Sequence, residues 1–244
     1  MFGIDEYINT SLKNEKVLKY EYLKTCIPDE PSDILDFGCG GGTFLRSLQS
    51  EYPLHNYVGV DTDGTALEHG RKFFDGIRYY HQPEGSYRII YSIDVLEHLE
   101  NLEEILRDFH KRLWCVGKLF IHIPLELQGV YRSKSRRDIK NRYSGHVKHY
   151  NLGFILNLLE LVGFKVTRRW HHYHLISGYR DYLKYKTLED GLSTNDIFTV
   201  NWANNLGSKF KILDFLAYYE SKILKNIKTF SSGVSLVCVK MPSS

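Results

Sequence analysis

The sequence predicts an α/β protein in which helices cover both faces of a central, mostly parallel sheet. Two observations predict this fold. Short runs rich in β-branched and aromatic residues alternate with amphipathic stretches along most of the chain. The first run ends in a glycine cluster that opens the next helix, as in parallel sheets that bind a ligand at the carboxyl ends of their strands. Polar residues directly after the strands are therefore the candidate ligand-binding residues.

The elements follow one another in a regular order. Apolar residues at near-helical spacing predict a leading helix over residues 11–26, which Pro28 and Pro31 end. The predicted strands are short and apolar, and they are residues 33–37, 57–61, 77–81, 88–94, 118–124, 164–169 and 234–241. The predicted helices after the leading one are residues 43–50, 65–74, 102–113, 154–162 and 210–225.

Composition excludes several classes of protein. With 244 residues, 43% hydrophobic and 25% charged, the chain is an ordinary globular sequence. Its net charge of +3 is too small to require a nucleic-acid partner. The four cysteines form no C-x-x-C pair, so no zinc or redox site is indicated. No run approaches the roughly 20 apolar residues of a spanning helix, and no signal peptide is seen. A cytoplasmic protein with no membrane partner is expected.

The glycine cluster reads D-x-G-x-G-x-G from Asp36 onward. A dinucleotide fingerprint, G-x-G-x-x-G, counted from Gly38 would need glycine where Thr43 stands. Asp36 precedes the first glycine, and its carboxylate would repel a pyrophosphate and attract a cationic ligand. The pattern therefore favours S-adenosylmethionine, which carries an ammonium and a sulfonium, over a nicotinamide dinucleotide. A plain glycine-rich turn remains the alternative.

A second carboxylate, Asp61, ends the second predicted strand. A carboxylate at this position accepts hydrogen bonds from both hydroxyls of a ribose. The alternative is that it caps the following helix, which Thr62 or Asp63 could also do. The spacing favours Asp61 for the ligand and Asp63 for the cap.

With these residues in place, the chain resembles the class I S-adenosylmethionine-dependent methyltransferases, in particular the branch that methylates ubiquinone-type, sugar and natural-product acceptors. The resemblance covers about residues 33–170 in the expected order. It is carried by the segments ILDFGCGGGTFL (34–45), YVGVDTDGTALEHGR (57–71), SIDVLEHLEN (92–101), GKLFIHIP (117–124) and GHVKHYNLGFILNLLELVGFKV (145–166). It implies a Rossmann-like, doubly wound, seven-stranded sheet with the last strand antiparallel, and helical cap elements at both ends of the chain.

The resemblance also implies a domain organisation. Residues 1–32 would be a helical extension, 33–170 the methyltransferase core and 232–244 the final strand. Residues 171–231 lie outside the resemblance and would be a helical, tyrosine-rich insertion. Its aromatic residues indicate a lid over the acceptor, and ordinary packing or a dimer interface is the alternative.

The resemblance assigns the cofactor S-adenosylmethionine to a set of residues after the strands. The glycine loop would hold its methionine part with Asp36 near the ammonium, and Asp94 would lie near the reacting methyl group. Gln82 would take the place of the polar residue that usually binds the adenine. The full set of cofactor-binding residues is Asp36, Gly38, Cys39, Gly40, Asp61, Thr62, Gln82 and Asp94.

Histidines are the candidate bases, because their ordinary pKa near 6.5 suits proton transfer at neutral pH. His98 follows the fourth strand, and His146 and His149 precede a helix. For His149 the alternative is a packed, hydrogen-bonded structural histidine. By resemblance, Asp94, Glu97 and His98 have a spacing that can hold a divalent cation, but pocket lining is favoured and no metal is expected.

Two further groups of residues have weaker interpretations. His172 and His174 would share one face of a strand, and with His171 they are interpreted as pocket wall or surface. Residues 130–148 carry seven cations and are interpreted as a solvated loop or as a patch for an anionic group on the acceptor.

The predicted function is methyl transfer from S-adenosylmethionine to a small molecule, at oxygen. The alternatives are an RNA or protein methyltransferase and a cofactor-binding module without activity. The oligomeric state stays open.

Overall fold

A computed structural model describes residues 15–189 and 208–241, and it contains a seven-stranded sheet. The strand order is β3-β2-β1-β4-β5-β7-β6. The strands are β1 Asp33–Phe37, β2 Asn56–Val60, β3 Ile77–Tyr80, β4 Tyr87–Ile93, β5 Leu113–Pro124, β6 Phe164–His172 and β7 Gly233–Lys240. The first five strands pair in parallel, whereas β7 lies antiparallel between β5 and β6. This is the predicted Rossmann-like fold.

Helices connect the strands, as the alternation in the sequence predicts. They are α1 Glu15–Lys24, α2 Thr43–Glu51, α3 Gly64–Phe73, α4 Leu102–Arg112, α5 Lys134–Ser144, α6 Leu152–Leu161, α7 Leu175–Glu189 and α8 Ser208–Leu224. Most of the predicted elements differ from these by one or two residues at each end. Residues 11–14 of the predicted leading helix lie outside the described residues.

The central strands form the apolar core because they are buried on both faces. Ile34, Leu35, Ile90, Leu119 and Phe120 are fully buried. β1 pairs with β2 on one side and β4 on the other, so the order of the chain reverses at β1. In such sheets the crevice outside the carboxyl ends of the strands at this reversal is where ligands bind.

Two sequence interpretations are wrong. Residues 130–148 are not a loop: a 3-10 turn covers Gly129–Arg132 and α5 covers Lys134–Ser144. β6 ends at His172, so His174 is not on the strand, and His171, His172 and His174 are all buried rather than on the surface. Two of the three buried rings have hydrogen-bond partners inside the fold. Nδ1 of His171 lies 3.0 Å from the Ser231 Oγ, and Nε2 of His174 lies 2.8 Å from the carbonyl oxygen of Ile227.

The chain folds as two compact units. The sheet unit comprises Tyr20–Ile123, Gly153–Arg169 and Ser235–Ser244, and the helical unit comprises Met1–Lys19, Pro124–Leu152 and Trp170–Val234. The domain boundaries drawn from the sequence, including the lid over residues 171–231, remain a prediction, and residues 190–207 of that lid lie outside the described residues. Within the described residues, no helix has the length and apolar character needed to cross a membrane.

Candidate active site

The glycine loop after β1 is held by backbone hydrogen bonds and by close packing. The N–H groups of Gly38 and Cys39 donate to the carbonyl of Val60, at 2.8 and 3.0 Å. Gly38 has φ +82°, and a Cβ there would lie 2.2 Å from the Val95 side chain, so only glycine fits. Gly40 also has positive φ, +51°, but nothing lies within 4 Å of where its Cβ would be. The loop is therefore rigid at Gly38 and open at Gly40.

Asp61 connects the glycine loop to the start of α3. Its Oδ2 accepts a hydrogen bond from the Gly40 N–H at 2.7 Å, and its Oδ1 accepts one from the Asp63 N–H at 2.9 Å. Each carboxylate oxygen can accept about two hydrogen bonds, so Asp61 retains capacity for a ligand. Asp63 caps α3 by accepting hydrogen bonds from the N–H groups of Thr65 and Ala66, as predicted for this residue, whereas the ligand role of Asp61 stays a prediction.

Asp36 lies inside β1 with 4% of its surface exposed. Burial raises its pKa to about 8, and the neighbouring charge of Asp61 adds to the rise, against the lowering effect of the Tyr91 hydroxyl. Cys39 lies beside these acids, and burial followed by their negative charges raises the pKa of its thiol. Its Sγ contacts the Gly40 carbonyl oxygen at 3.3 Å. Two acids therefore approach each other at this edge of the sheet, and a cation bound here would relieve their repulsion.

Asp94 follows β4 in a left-handed conformation, φ +57°, which is uncommon for a residue other than glycine. Its N–H donates to the His122 carbonyl at 3.2 Å, and its Oδ1 lies 3.5 Å from Nε2 of His122. His122 is fully buried in β5, and its Nδ1 is 3.0 Å from the Ser235 Oγ in β7. The exposed fraction of the Asp94 side chain is 43%. The sheet thus holds the backbone of Asp94 while its carboxylate stays accessible.

The other residues predicted in this unit lie on nearby turns. Thr62 is exposed between β2 and α3, and Gln82 is exposed after β3. Glu97 is buried and His98 is exposed in the 3-10 turn Leu96–His98. Ligand atoms of Glu97 and His98 lie within 4.8 Å of each other, whereas Asp94 is not part of the candidate metal group found among the described residues.

A buried carboxylate organises the two candidate bases of the helical unit. Glu126, 1% exposed, contacts Nδ1 of His146 through Oε1 at 2.7 Å and Nδ1 of His149 through Oε2 at 2.6 Å. Nε2 of His149 lies 3.0 Å from the Asn141 side-chain nitrogen. An ionised carboxylate accepts a hydrogen bond from Nδ1–H, and this leaves the lone pair of His149 at Nε2, where it accepts a hydrogen bond from the Asn141 amide N–H. Sequence reasoning missed Glu126.

A buried lysine completes this cluster. Nζ of Lys140 on α5 lies 2.9 Å from Oε1 of Glu126 and 3.4 Å from Oδ2 of Asp181. The same oxygen of Asp181 accepts a hydrogen bond from the Tyr131 hydroxyl at 2.7 Å. Burial alone would raise the pKa of Glu126, but the His146 hydrogen bond and the Lys140 charge hold it well below its usual range. Likewise burial opposes the charged lysine, but the negative charge of Asp181, followed by that of Glu126, raises the pKa of Lys140. Glu126 and Lys140 therefore both stay ionised at neutral pH.

The family model for the methyltransferase domain matches residues 12–169, which is more than half of the chain. The chain belongs to this methyltransferase family. This family agrees with the class I, S-adenosylmethionine-dependent methyltransferases that the sequence resembles. Residues 12–169 include the glycine loop, Asp61 and Asp94.

Named relatives act on different acceptors. A trans-aconitate 2-methyltransferase of Enterobacter sp. (strain 638) is 28% identical over 110 residues, which are 43% of this chain and 44% of that protein. A malonyl-(acyl-carrier protein) O-methyltransferase of Bacillus cereus is 26% identical over 175 residues, 64% of either chain. The chain therefore spans less than two thirds of the length of both relatives.

A solved structure shows the same fold. The geranyl diphosphate C-methyltransferase of Streptomyces coelicolor A3(2), determined with Mg²⁺, geranyl diphosphate and S-adenosyl-L-homocysteine, has a TM-score of 0.62. The similarity covers 93% of this chain and 79% of that one at 9% identity.

The residues at the carboxyl ends of β1 and β2 fit the family's cofactor. The open space at Gly40 lets a ligand approach the backbone closely. Asp61 retains acceptor capacity for ribose hydroxyls, and the paired acids Asp36 and Asp61 favour a cation over a pyrophosphate.

Proposed function

We propose that this methyltransferase transfers the methyl group to an oxygen of a small molecule, with His149 as the general base. The observation that carries the proposal is the contact between the buried carboxylate of Glu126 and the partly exposed ring of His149, in which the carboxylate fixes the imidazole tautomer. The bound cofactor supplies the methyl group on a sulfonium, so the protein's own task is to align the acceptor and remove its proton.

In this proposal the cofactor-binding residues have separate roles. Asp61 accepts from the ribose, and the backbone of Gly38, Cys39 and Gly40 lies against the methionine part. Asp36 faces the ammonium. The remaining residues, Thr62, Gln82 and Asp94, line the cofactor as the resemblance implies.

The raised pKa of Asp36 predicts that cofactor binding releases a proton. Without ligand, Asp36 is mostly protonated below about pH 8. A bound ammonium favours the ionised form and lowers that pKa, so affinity rises with pH by up to about tenfold per unit until pH 8 and then levels off. Calorimetry with S-adenosylhomocysteine at pH 6.5, in two buffers of different ionisation enthalpy, measures the release. Asp36→Asn should abolish it, and equal heats for the wild type in both buffers would contradict the assignment.

The raised pKa of Asp36 also makes stability depend on pH, but stability falls with rising pH where cofactor affinity rises. An unfolded aspartate ionises near its ordinary pKa of 3.8, whereas folded Asp36 keeps its proton to about pH 8. The folded state therefore binds more protons between these values. The contribution of Asp36 to the free energy of unfolding accordingly falls as the pH rises through this window.

His149 is preferred over His146 and His98 as the base. Its side chain is 28% exposed, against 8% for His146, so an acceptor reaches it more readily. His98 is exposed as well, and the preference for His149 rests on its contact with the carboxylate of Glu126. Glu126 would act through His149 as a positioning residue, and the acceptor hydroxyl would replace the Asn141 amide as the hydrogen-bond donor to Nε2 before Nε2 takes its proton.

Replacement of the base should lower turnover and spare cofactor binding. We expect His149→Asn to reduce kcat by about 10²-fold or more, the usual contribution of general base catalysis. Glu126→Gln should also lower kcat and shift the pH profile, because the imidazole loses its fixed tautomer. His146→Asn is the matched control, since it removes the other imidazole on the same carboxylate. An equal loss of kcat in both histidine variants would contradict the choice of His149.

Charge pairing favours a small acceptor over RNA. Lys134 pairs with Asp138 and Arg142 pairs with Glu189 at the surface, and Lys140 is buried against Glu126, so three of the seven cations of residues 130–148 already have an acidic partner. Both curated relatives carry names of acid-bearing acceptors, trans-aconitate and malonyl, which supports an acceptor with a carboxyl group. A steep fall of acceptor affinity with salt would instead favour RNA. Cofactor binding without turnover on any acceptor would favour the non-catalytic module.

A further inference from the structure

The helix α8 presents its apolar side to solvent. Five apolar or aromatic residues at spacings of three or four along the helix are 44–74% exposed. They are Ile212, Phe215, Leu216, Tyr219 and Ile223, and they are called here the outer face. At this spacing they form one stripe along the helix.

The opposite side of α8 is small and polar, and it packs within the helical unit. Ala217 is 4% exposed, and Ser221 is fully buried with its Oγ 3.2 Å from the Ser177 Oγ. Asp214 pairs with Arg180 of α7. The usual arrangement, in which a helix buries its apolar stripe and exposes its polar one, is therefore reversed. A contiguous exposed apolar stripe of this kind marks an interaction surface.

The charges around the outer face have one sign. The two acids between residues 208 and 230 are Asp214 and Glu220, and Glu220 accepts hydrogen bonds from the N–H groups of Ile176 and Ser177 at the start of α7. Neither acid therefore offsets the lysines that border the apolar stripe and continue past it. These are Lys222, Lys225 and Lys228, and Ile227 and Phe230 are exposed among them.

We propose that the outer face docks on an anionic lipid surface. Apolar and aromatic side chains would enter the interface between headgroups and acyl chains, while the lysines contact the anionic headgroups. A second copy of this chain fits less well, because a two-fold contact brings the same face against itself and offers the lysines no acid that is not already engaged within the fold. The absence of a spanning segment in the sequence does not oppose this, since a helix that lies on a membrane needs only one apolar face. The inference stands independently of the proposed acceptor and base.

Vesicle binding by the full chain tests the proposal. Phosphatidylcholine vesicles with and without an equal share of phosphatidylglycerol are sedimented with wild type and with the double variant Phe215→Ser/Ile223→Ser. The matched control is Val116→Ser/Leu161→Ser, which removes two apolar side chains of 66% and 65% exposure in the sheet unit. Binding of S-adenosylhomocysteine and the melting temperature verify that all variants are folded.

We expect wild type and control to bind the anionic vesicles at least tenfold more tightly than the neutral ones, and the outer-face variant to lose at least tenfold of that affinity. Lys222→Glu should weaken binding to the anionic vesicles and leave binding to the neutral vesicles unchanged, because it removes a contact with anionic headgroups. Equal binding to both vesicle types, or binding that survives the outer-face variant, would overturn the proposal. The proposal is also overturned if wild type does not bind vesicles but self-associates, while the outer-face variant is monomeric. That result would assign the outer face to contact with a second copy of the chain.

Discussion

Asp61→Ala should weaken binding of S-adenosylmethionine and S-adenosylhomocysteine by at least tenfold, and more if both ribose hydroxyls lose a partner. The carboxylate accepts from the N–H groups of Gly40 and Asp63, so its removal frees the glycine loop as well as the proposed ribose contact. Hydrogen bonds to a charged group contribute about 1.5–3 kcal/mol each, which corresponds to roughly tenfold or more in affinity. Calorimetric titration measures the loss directly.

Asp63→Ala is the matched control, because it removes a carboxylate two residues away. Asp63 caps α3, so its loss should cost about 1 kcal/mol of stability and leave cofactor affinity near that of wild type. If the two variants lose the same affinity, Asp61 acts only through the stability of this turn. The ribose assignment would then be wrong.

Glu126→Ala should cause the largest loss of stability among the substitutions considered. The change leaves Lys140 buried with one carboxylate fewer and removes the partner of His146 and His149. Breaking a buried ion pair costs about 3–5 kcal/mol, a fall in melting temperature on the order of 10 °C for a chain of this size. Differential scanning calorimetry measures it.

The pH dependence of this effect follows from the lowered pKa of Glu126. Its ordinary value is 4.5, so the stabilisation is complete above that pH and is lost as the pH falls toward the depressed folded value. Asp138→Ala is the control, because it breaks the exposed ion pair with Lys134 on the same helix and should change stability little. Similar melting temperatures for the two variants would contradict the account of the buried cluster.

The sheet and the cofactor loop were predictable because local sequence determines them. Strand boundaries came from short apolar runs, and Asp63 was expected at a cap because carboxylates favour that position. α5 was missed for the opposite reason: Ile139 and Tyr143 are its only large apolar residues, so no stripe marks it. Its burial of Lys140 depends on acids distant in sequence, and no local pattern reveals them.

Glu126 could have been found, whereas His122 could not. Glu126 stands two residues after β5, where polar residues of such sheets gather, so the rule applied to Asp61 and Asp94 also reaches it. His122 lies within an apolar strand, and its contacts to Asp94 and Ser235 join three different strands or strand ends. Only the folded sheet brings them together.

The structure of the complex with S-adenosylhomocysteine tests the central claim most directly. The deciding quantity is the distance between the Asp61 carboxylate oxygens and the ribose hydroxyl oxygens. The account predicts two hydrogen bonds of about 2.5–3.0 Å, with the backbone of Gly38–Gly40 against the amino-acid part of the ligand. A ribose out of hydrogen-bond reach of Asp61, or a ligand bound away from the ends of β1 and β2, would contradict it.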